Sequence, residues 1–315
     1  MRSLKTYREI LRKKGFYTCL RELKKVVWPV WWTHSKAAIE QIQAERTSKY
    51  LWRRYRNLIE KPLSSAVQDE PAKFIWLCWL QGLDQAPEIV RKCVASVKHY
   101  MPDYKVQILT EENIFDFVTL PEPIIRKFQN RKITFTHFSD ILRTALLVQH
   151  GGVWLDATVL LTNSIPSQIT DAPLFFLQKS ILSSTPHAGS SWLLVAKKGD
   201  PVLQRVLDLL AAYWERENKL RDYYLFHLFL YLVLVKNPQG VQALKQIPYI
   251  PNVDAHTLQS SLFEDFSDEQ WKQMTSRSSI HKLTYKYDGF GIDISKKGTF
   301  YDVIINGNKL YKQFR

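Results

Sequence analysis

Short apolar runs alternate with amphipathic segments from residue 73 onward, and this alternation constrains the fold more than any other feature of the chain. Residues 73–80, KFIWLCWL, form an apolar run that ends at Gln81-Gly82 and predicts a buried strand. Residues 87–100 have apolar side chains at helical spacing, and residues 104–109 alternate as a second strand. The order strand, helix, strand predicts a βαβ unit with two parallel strands.

The same pattern continues along the chain. A helix is predicted for residues 137–150, because Gly151-Gly152 provides a helix stop, and residues 153–161 predict two short strands separated by Asp156. Further strands and helices are predicted at residues 174–178, 192–196, 201–217 and 222–235. Strands that alternate with helices are typical of an α/β fold with a mostly buried sheet.

Basic residues are concentrated near the start of the chain. The formal net charge is +14, and residues 1–61 hold 16 Lys and Arg against 5 Glu. Helical spacing, together with tryptophans beside cations at Trp28, Trp31, Trp32 and Trp52, predicts a basic, Trp-rich helical region that associates with an anionic membrane surface. A basic helical hairpin packed on the main domain and a nucleic-acid-binding face are the alternatives.

Residues 62–72, PLSSAVQDEPA, predict a linker between this region and a main domain at residues 73–315. With 45% hydrophobic and 23% charged residues, the chain has globular composition, which excludes a disordered protein. Its three cysteines are odd in number and match no zinc-ligand spacing, which favours a reducing compartment. No run reaches the roughly 20 apolar residues of a membrane-spanning helix, and the basic start lacks the apolar core of a secretory signal.

One group of polar residues is notable for its spacing. It consists of Ser139-Asp140-Ile-Leu-Arg143 on a predicted helix and Gly151-Gly152-Val-Trp-Leu-Asp156-Ala-Thr158 around the next strand. Asp140 and Arg143 share one helical face. A carboxylate at a strand end, followed by a hydroxyl, can hold a divalent cation that bridges a diphosphate. Taken singly, Ser139-Asp140 is also a helix cap, Arg143 a surface partner of Asp140, and Asp156 a turn residue.

The order and spacing of these residues resemble those of glycosyltransferases with the nucleotide-sugar-binding GT-A fold. They are most similar to the bacterial capsular polysaccharide synthesis family, which is related to transferases with a sugar-binding D-x-D motif. The opening strand carries F-I-W-x-x-W-x-x-G from Phe74 to Gly82, and the likeness extends to about residue 286. The resemblance implies a GT-A-like α/β fold with a central mixed, mostly parallel sheet and an N-terminal helical appendage. It also implies that residues 73–315 form the catalytic domain.

The resemblance further implies a UDP-sugar donor site. Its residues would be Phe74, Trp76, Trp79, Gly82, Asp140, Arg143, Trp154, Leu155 and Lys282. In this site the opening strand would line the nucleoside pocket, Arg143 would bind phosphate, and Asp140 would accept from sugar hydroxyls. Trp76 and Trp79 are alternatively core residues of a buried strand.

A metal site is implied as well, with one departure from the related families. Where those families have D-x-D, this chain has Asp156-Ala157-Thr158, so that a hydroxyl replaces the second carboxylate. The implied Mn²⁺ or Mg²⁺ ligands are Asp156, Thr158 and the later His281, with Lys282 neutralising the diphosphate. His281 is alternatively a surface residue beside a lysine.

The implied catalytic residues are Asp140 and Asp222, of which Asp222 would orient the acceptor or stabilise the reacting sugar; its alternative role is helix capping. The implied reaction is retaining transfer of a hexose, galactose favoured over glucose, from a UDP-sugar to a polyprenyl-diphosphate-linked saccharide in capsular repeat-unit synthesis. The enzyme would be peripheral on the cytoplasmic face of the bacterial membrane, with no nucleic acid as partner. A catalytically degenerate scaffold and a transferase acting on another cell-envelope glycan are the alternatives.

Overall fold

A five-stranded sheet lies at the centre of the fold. The computed structural model describes residues 36–64, 72–179, 186–287 and 293–307. Across the sheet the strands are ordered β2 (Lys105–Leu109), β1 (Phe74–Cys78), β3 (Gly152–Asp156), β6 (Gly189–Ala196) and β5 (Leu174–Gln178). β1 is parallel to β2 and β3, whereas β6 is antiparallel to both of its neighbours, so four of the five strands share one direction. The predicted α/β fold with a mixed, mostly parallel sheet is confirmed.

Helices alternate with these strands along the chain. A second, two-stranded antiparallel sheet pairs β4 (Val159–Leu161) with β7 (Ile280–Lys282). The helices placed within the described residues are α1 (Lys36–Glu60), α2 (Glu88–Tyr100), α3 (Ile114–Phe117), α4 (Glu122–Gln129), α5 (Phe135–His150), α6 (Ser167–Thr170), α7 (Pro201–Arg216), α8 (Leu225–Lys236), α9 (Pro238–Gln246), α10 (Thr257–Ser261) and α11 (Asp268–Arg277). Short 3₁₀ helices occupy Leu83–Gln85 and Asp254–His256, and a π-helical turn occupies Tyr301–Asn306.

Most element boundaries agree with the sequence predictions to within two residues. β6 begins three residues before the predicted start at 192, and α3, α4, α6, α9, α10, α11 and β7 are not among the sequence predictions. α8 begins at Leu225 instead of residue 222, because the Tyr224 N–H donates to Asp222 Oδ1 at 2.9 Å and forms a turn there. The predictions for residues 1–35, including Trp28, Trp31 and Trp32, lie outside the described residues.

Gly151 and Gly152 make the connection from α5 to β3 possible. Gly151 ends α5 with a φ of +71°, and its N–H donates to the Leu147 carbonyl. Gly152 has a φ of +99°, and a Cβ at this position would lie 2.5 Å from the Phe74 carbonyl oxygen of β1. A side chain at residue 152 would therefore prevent β3 from entering the sheet beside β1.

α1 packs on α7 and α8 as part of the main core. Leu51, Tyr55 and Ile59 are buried, and the rings of Tyr55 and Phe229 meet edge to face at 5.5 Å. The C-terminal end of α1 is fixed by Asn237, whose amide donates to the Ile59 and Lys61 carbonyls. The described part of the basic N-terminal region is therefore joined to the main domain by apolar contacts.

A smaller apolar cluster supports the β4–β7 sheet from the other side. It includes Leu160, Trp271, Phe300 and Ile304, all fully buried. This cluster fixes the position of β7, and therefore of Lys282, relative to the end of β3.

Among the described residues, no helix combines the length and apolar character that a membrane span needs.

Candidate active site

The Asp156 carboxylate lies between two cations at the C-terminal end of β3. Arg143 on α5 places Nη2 3.6 Å from Asp156 Oδ1, and Lys282 on β7 places Nζ 3.7 Å from Asp156 Oδ2. The Asp156 side chain is 30% exposed and that of Lys282 is 18% exposed. Because β1 and β3 are parallel, their C-terminal ends meet here, at the edge where open α/β sheets bind ligands. This edge is the candidate active site.

Arg143 is buried and held on several sides. Its Nε donates to the Ser139 carbonyl at 3.1 Å, and its Nη1 donates to the Ser191 carbonyl of β6 at 2.9 Å. Nη1 also lies 3.2 Å from Asp140 Oδ1. Arg143 therefore links Asp140 to Asp156 as a fixed bridge, and the predicted pair of Asp140 and Arg143 is buried instead of lying on the surface.

The charge state of Asp140 depends on this bridge. Burial alone raises the pKa of the Asp140 carboxyl, but the Arg143 guanidinium and the neighbouring His137 outweigh burial and hold the pKa below its ordinary value. Asp140 is thus an ionised, buried carboxylate at neutral pH. Its side chain is only 8% exposed, and its principal partner is Arg143.

Lys282 reaches the site because of the register of the small sheet. β4 and β7 pair with Val159 opposite Lys282, and the Leu283 N–H donates to the Thr158 carbonyl at 2.9 Å. The Lys282 ammonium donates to Thr158 Oγ1 at 2.6 Å and to the Leu283 carbonyl at 3.1 Å. The Thr158 hydroxyl, which replaces the second carboxylate of the D-x-D motif, therefore accepts a hydrogen bond from Lys282.

The structure does not bring His281 to Asp156. Successive residues of a strand point to opposite faces, so His281 points away from the site when Lys282 points toward it. The His281 ring is fully buried, with Nε2 3.1 Å from Thr162 Oγ1 and the ring stacked on Trp271, and burial lowers its pKa to about 4.

The side chains around Asp156 supply few oxygen donors for a divalent cation and two competing cations. Mn²⁺ and Mg²⁺ prefer several carboxylate, carbonyl or water oxygens. Among the described residues, no group of three or more His, Cys, Asp or Glu side chains is placed to hold a metal ion. Both charged side chains that contact Asp156 are cations, Arg143 and Lys282, so the residues around Asp156 do not fit the expected Mn²⁺ or Mg²⁺.

The aromatic residues predicted for the donor site divide into two groups. Trp76 is buried in the sheet, donates from Nε1 to the Gly151 carbonyl at 3.0 Å and stacks on Phe74. Phe74 begins β1 and so lies roughly 13 Å along the strand from the Asp156 edge. Leu155 is also buried in the sheet, and neither it nor these two aromatic rings open onto the site.

Trp154 and Trp79 lie closer to the charged group. Trp154 donates from Nε1 to Asp156 Oδ1 at 3.2 Å, and the Arg143 guanidinium lies 5.1 Å from its ring centre. Trp79, directly beyond β1, is partly exposed and meets Tyr285 edge to face at 5.1 Å. Gly82 follows with a φ of +77° and open space around it. Trp154 orients Asp156, and Trp79 borders the site.

Tyr223 precedes α8 and is not among the predicted site residues. Asp222 is partly exposed and accepts from the Tyr224 N–H, which is a turn-forming contact. Tyr223 is 60% exposed, and its pKa is raised first by partial burial and then by the charges of Asp140, Tyr224 and Asp156, while Arg143 lowers it. Tyr223 is thus within electrostatic reach of the charged group. Only its position beside Asp222 could have indicated this, because a single tyrosine carries no motif.

Two histidines were also missed. Burial lowers the pKa of His227 on α8 to about 4, and Asp140, Arg143 and Asp156 all influence it. The His187 ring lies 5.9 Å from that of His227, and its Nδ1 lies 2.9 Å from Lys179 Nζ. His227 Nδ1 and His187 Nε2 are buried without a hydrogen-bond partner among the described residues.

The chain belongs to the capsular polysaccharide synthesis protein family, whose sequence profile matches residues 11–304. This match includes the basic N-terminal region as well as the sheet. The family that the motif spacing indicated is therefore confirmed.

Two curated relatives match parts of the chain. The O-glycosyltransferase braB of Annulohypoxylon truncatum is 23% identical over an alignment of 234 residues, and the match covers 69% of this chain and 53% of that protein. The glycosyltransferase afumC of Aspergillus fumigatus is 31% identical over an alignment of 109 residues, and the match covers 31% of this chain and 28% of that protein. The chain thus spans about half the length of the first relative and less of the second. Among solved structures, the PaToxG glycosyltransferase superposes with a TM-score of 0.38 at 15% identity, covering 77% of this chain and 99% of that chain.

Proposed function

We propose that the protein is a retaining glycosyltransferase that moves a hexose from a UDP-sugar to a lipid-linked saccharide in capsular repeat-unit synthesis. The observation that carries the proposal is the partly exposed Asp156 carboxylate between Arg143 and Lys282 at the ligand-binding edge of the sheet. Family membership supports it, as do the names of the two curated relatives.

In the proposed donor complex, Asp156 accepts hydrogen bonds from donor-sugar hydroxyls, because it is the most exposed carboxylate of the charged group. Trp79 and Tyr285 provide an aromatic surface for the uracil ring. Arg143 and Asp140 are positioning residues here, since both are buried and bound to each other.

The proposed reaction takes place on one face of the sugar. The bond between the anomeric carbon and the β-phosphate oxygen breaks, and its electron pair stays on that oxygen. The acceptor hydroxyl oxygen forms the new bond to the anomeric carbon from the same face, and its proton passes to the departing phosphate. An α-linked donor thus gives an α-linked product. Asp222 and Tyr223, in the turn just before α8, are proposed to contact the acceptor.

The experiment is UDP release from a panel of UDP-sugars, including UDP-galactose, which the proposal favours, and UDP-glucose, with a polyprenyl-diphosphate-linked saccharide as acceptor. Asp156→Asn should lower release by roughly 10²- to 10³-fold, because the reacting sugar loses its fixed carboxylate. Asp171→Asn, at an exposed carboxylate after α6, is the matched control and should act as wild type. A β-linked product, seen by proton NMR coupling, would contradict retention. UDP binding without turnover for any donor would favour the scaffold alternative.

We further propose that α1 brings the site to an anionic membrane, where a lipid-linked acceptor is held. Arg46, Lys49, Arg53, Arg54 and Arg56 are exposed, while the opposite face of α1 is buried against α7 and α8. Deleting residues 1–61 would remove core residues, so charge reversal is the sharper test. Arg53→Glu/Arg54→Glu should reduce flotation with anionic vesicles, whereas the same reversal at two exposed α11 residues, Lys272 and Arg277, should not. Equal flotation of both variants would contradict the proposal.

A further inference from the structure

The Lys282 ammonium occupies the place that the resemblance assigns to a metal ion. Asp156 and Thr158 are the two residues of the D-x-D-like motif that would ligate a divalent cation, and Lys282 Nζ lies 3.7 Å from the first and 2.6 Å from the second. We infer that Lys282 takes over the role of the divalent cation and neutralises the diphosphate of the donor, so that the enzyme is independent of metal. This inference rests on the proposed function.

The position of the ammonium is set by the backbone. Lys282 is paired with Val159 in the β4–β7 ladder, and the following residue is bonded to the Thr158 carbonyl. These main-chain hydrogen bonds fix the Lys282 backbone beside Thr158 and Val159, and the ammonium itself is held by Thr158 Oγ1 and the Leu283 carbonyl. Transition-state charge is stabilised best by hydrogen-bond donors that are in place before the reaction begins, and the Lys282 ammonium meets this requirement.

Lys282 keeps a free hydrogen-bond donor for a ligand. An ammonium has three N–H donors. Thr158 Oγ1 and the Leu283 carbonyl accept two of them, and the distance of 3.7 Å to Asp156 Oδ2 is longer than a hydrogen bond. The third donor is available to a phosphate oxygen, and a bond from an ammonium to a phosphate is among the strong ones.

The charge balance of the cluster also disfavours a metal ion. Asp140 and Asp156 are matched by Arg143 and Lys282, so the four side chains are formally neutral together. A divalent cation at Asp156 would lie beside two cations, whereas the diphosphate of a sugar nucleotide is an anion that both cations attract. The departing UDP gains negative charge as the bond to the sugar breaks, and the Lys282 ammonium is placed to stabilise it.

The first test uses wild-type protein. UDP titrations, monitored by calorimetry, are made with excess chelator and then with added Mn²⁺, and Mn²⁺ binding is followed by electron paramagnetic resonance. UDP affinity that is unchanged by chelation, with no tightly bound Mn²⁺, would support the inference. UDP binding or release that is lost on chelation and restored by Mn²⁺ would overturn it and leave the proposed function in place. Wild-type protein that neither binds nor releases UDP would overturn both.

The second test replaces the amine. Lys282→Met keeps the aliphatic stem and should weaken UDP binding by about 10- to 100-fold, which is the range for a lost charged hydrogen bond. Lys282→Arg should bind UDP more tightly than Lys282→Met because it restores the charge. Lys272→Met, at an exposed lysine of α11, is the control and should bind as wild type. Equal UDP affinity of Lys282→Met and wild type, with both shown to be folded by thermal melts, would overturn the inference.

Discussion

Replacing Arg143 by methionine should expose how strongly the buried Asp140 depends on its bridge. Asp140 and Arg143 are both buried, with Nη1 3.2 Å from Oδ1. Removal of one partner of a buried ion pair leaves an uncompensated charge and destabilises a protein by about 3–5 kcal/mol. We therefore expect the free energy of unfolding of Arg143→Met at pH 7 to fall by that amount.

The pH dependence of this loss identifies its cause. In wild type the pKa of Asp140 is lowered, so its contribution to stability is present above the unfolded value of about 3.9 and is lost as the pH falls through the lower folded value. Without Arg143, burial dominates and raises the pKa of Asp140. As the pH falls through that raised pKa, Asp140 in Arg143→Met becomes protonated and neutral. The loss of unfolding free energy relative to wild type should then shrink, by at most about 1.4 kcal/mol per pH unit.

Urea unfolding at pH 7 and pH 5 measures the effect. Arg126→Met is the matched control, because Arg126 lies 3.8 Å from Glu122 in a pair whose side chains are 59% and 71% exposed, and we expect its change to stay within about 0.5 kcal/mol. Asp140→Asn in the Arg143→Met background should recover much of the stability. The reasoning would be refuted if Arg143→Met lost the same free energy of unfolding at pH 7 and pH 5, and if adding Asp140→Asn left that loss unchanged.

Two further predictions concern stability. Gly152→Ala should destabilise the protein by at least about 3 kcal/mol, because the new Cβ would lie 2.5 Å from the Phe74 carbonyl oxygen in an unfavourable backbone conformation. The control Gly298→Ala, at a φ of +76° with open space around it, should lose only about 1–2 kcal/mol. Equal losses of the two variants in chemical denaturation would contradict the close approach. Burial lowers the pKa of His281 to about 4, so between pH 6.5 and 4 the unfolded chain binds a proton at His281 that the folded chain does not. The free energy of unfolding should therefore fall as the pH decreases from about 6.5 toward 4. His281→Gln should reduce that slope by about 1.4 kcal/mol per pH unit. Identical slopes in wild type and His281→Gln would argue against this assignment.

Local sequence patterns were sufficient for most of the sheet and for one part of the site. Apolar runs and the Gly151-Gly152 pair determine where α5 ends and β3 begins, because φ preference and burial act within a few residues. The same reasoning placed Asp156 at a strand end and Arg143 on the helix before it. Their meeting follows, since the helix returns antiparallel to the strand that it precedes.

The tertiary structure decided which residue of β7 serves the site. Sequence order nominated both His281 and Lys282, and the two alternate across a strand, so only one can point to Asp156. The pairing of Val159 with Lys282 makes that choice, and it depends on strand register across more than a hundred residues of chain. No local pattern carries this register.

The sequence left open whether the basic helical region associates with a membrane or packs on the main domain, and it gave no position in space for α8. The basic residues of α1 indicated an exposed helix, but Leu51, Tyr55 and Ile59 on its other face pack against α7 and α8. Tyr223 and His227 come within electrostatic reach of Asp140 because α8 packs against α5, which carries Asp140. The sequence by itself determined the order of elements and the residues at strand and helix ends, since those depend on neighbours in the chain. The partners of each charged group were decided by the tertiary structure, because they depend on neighbours in space.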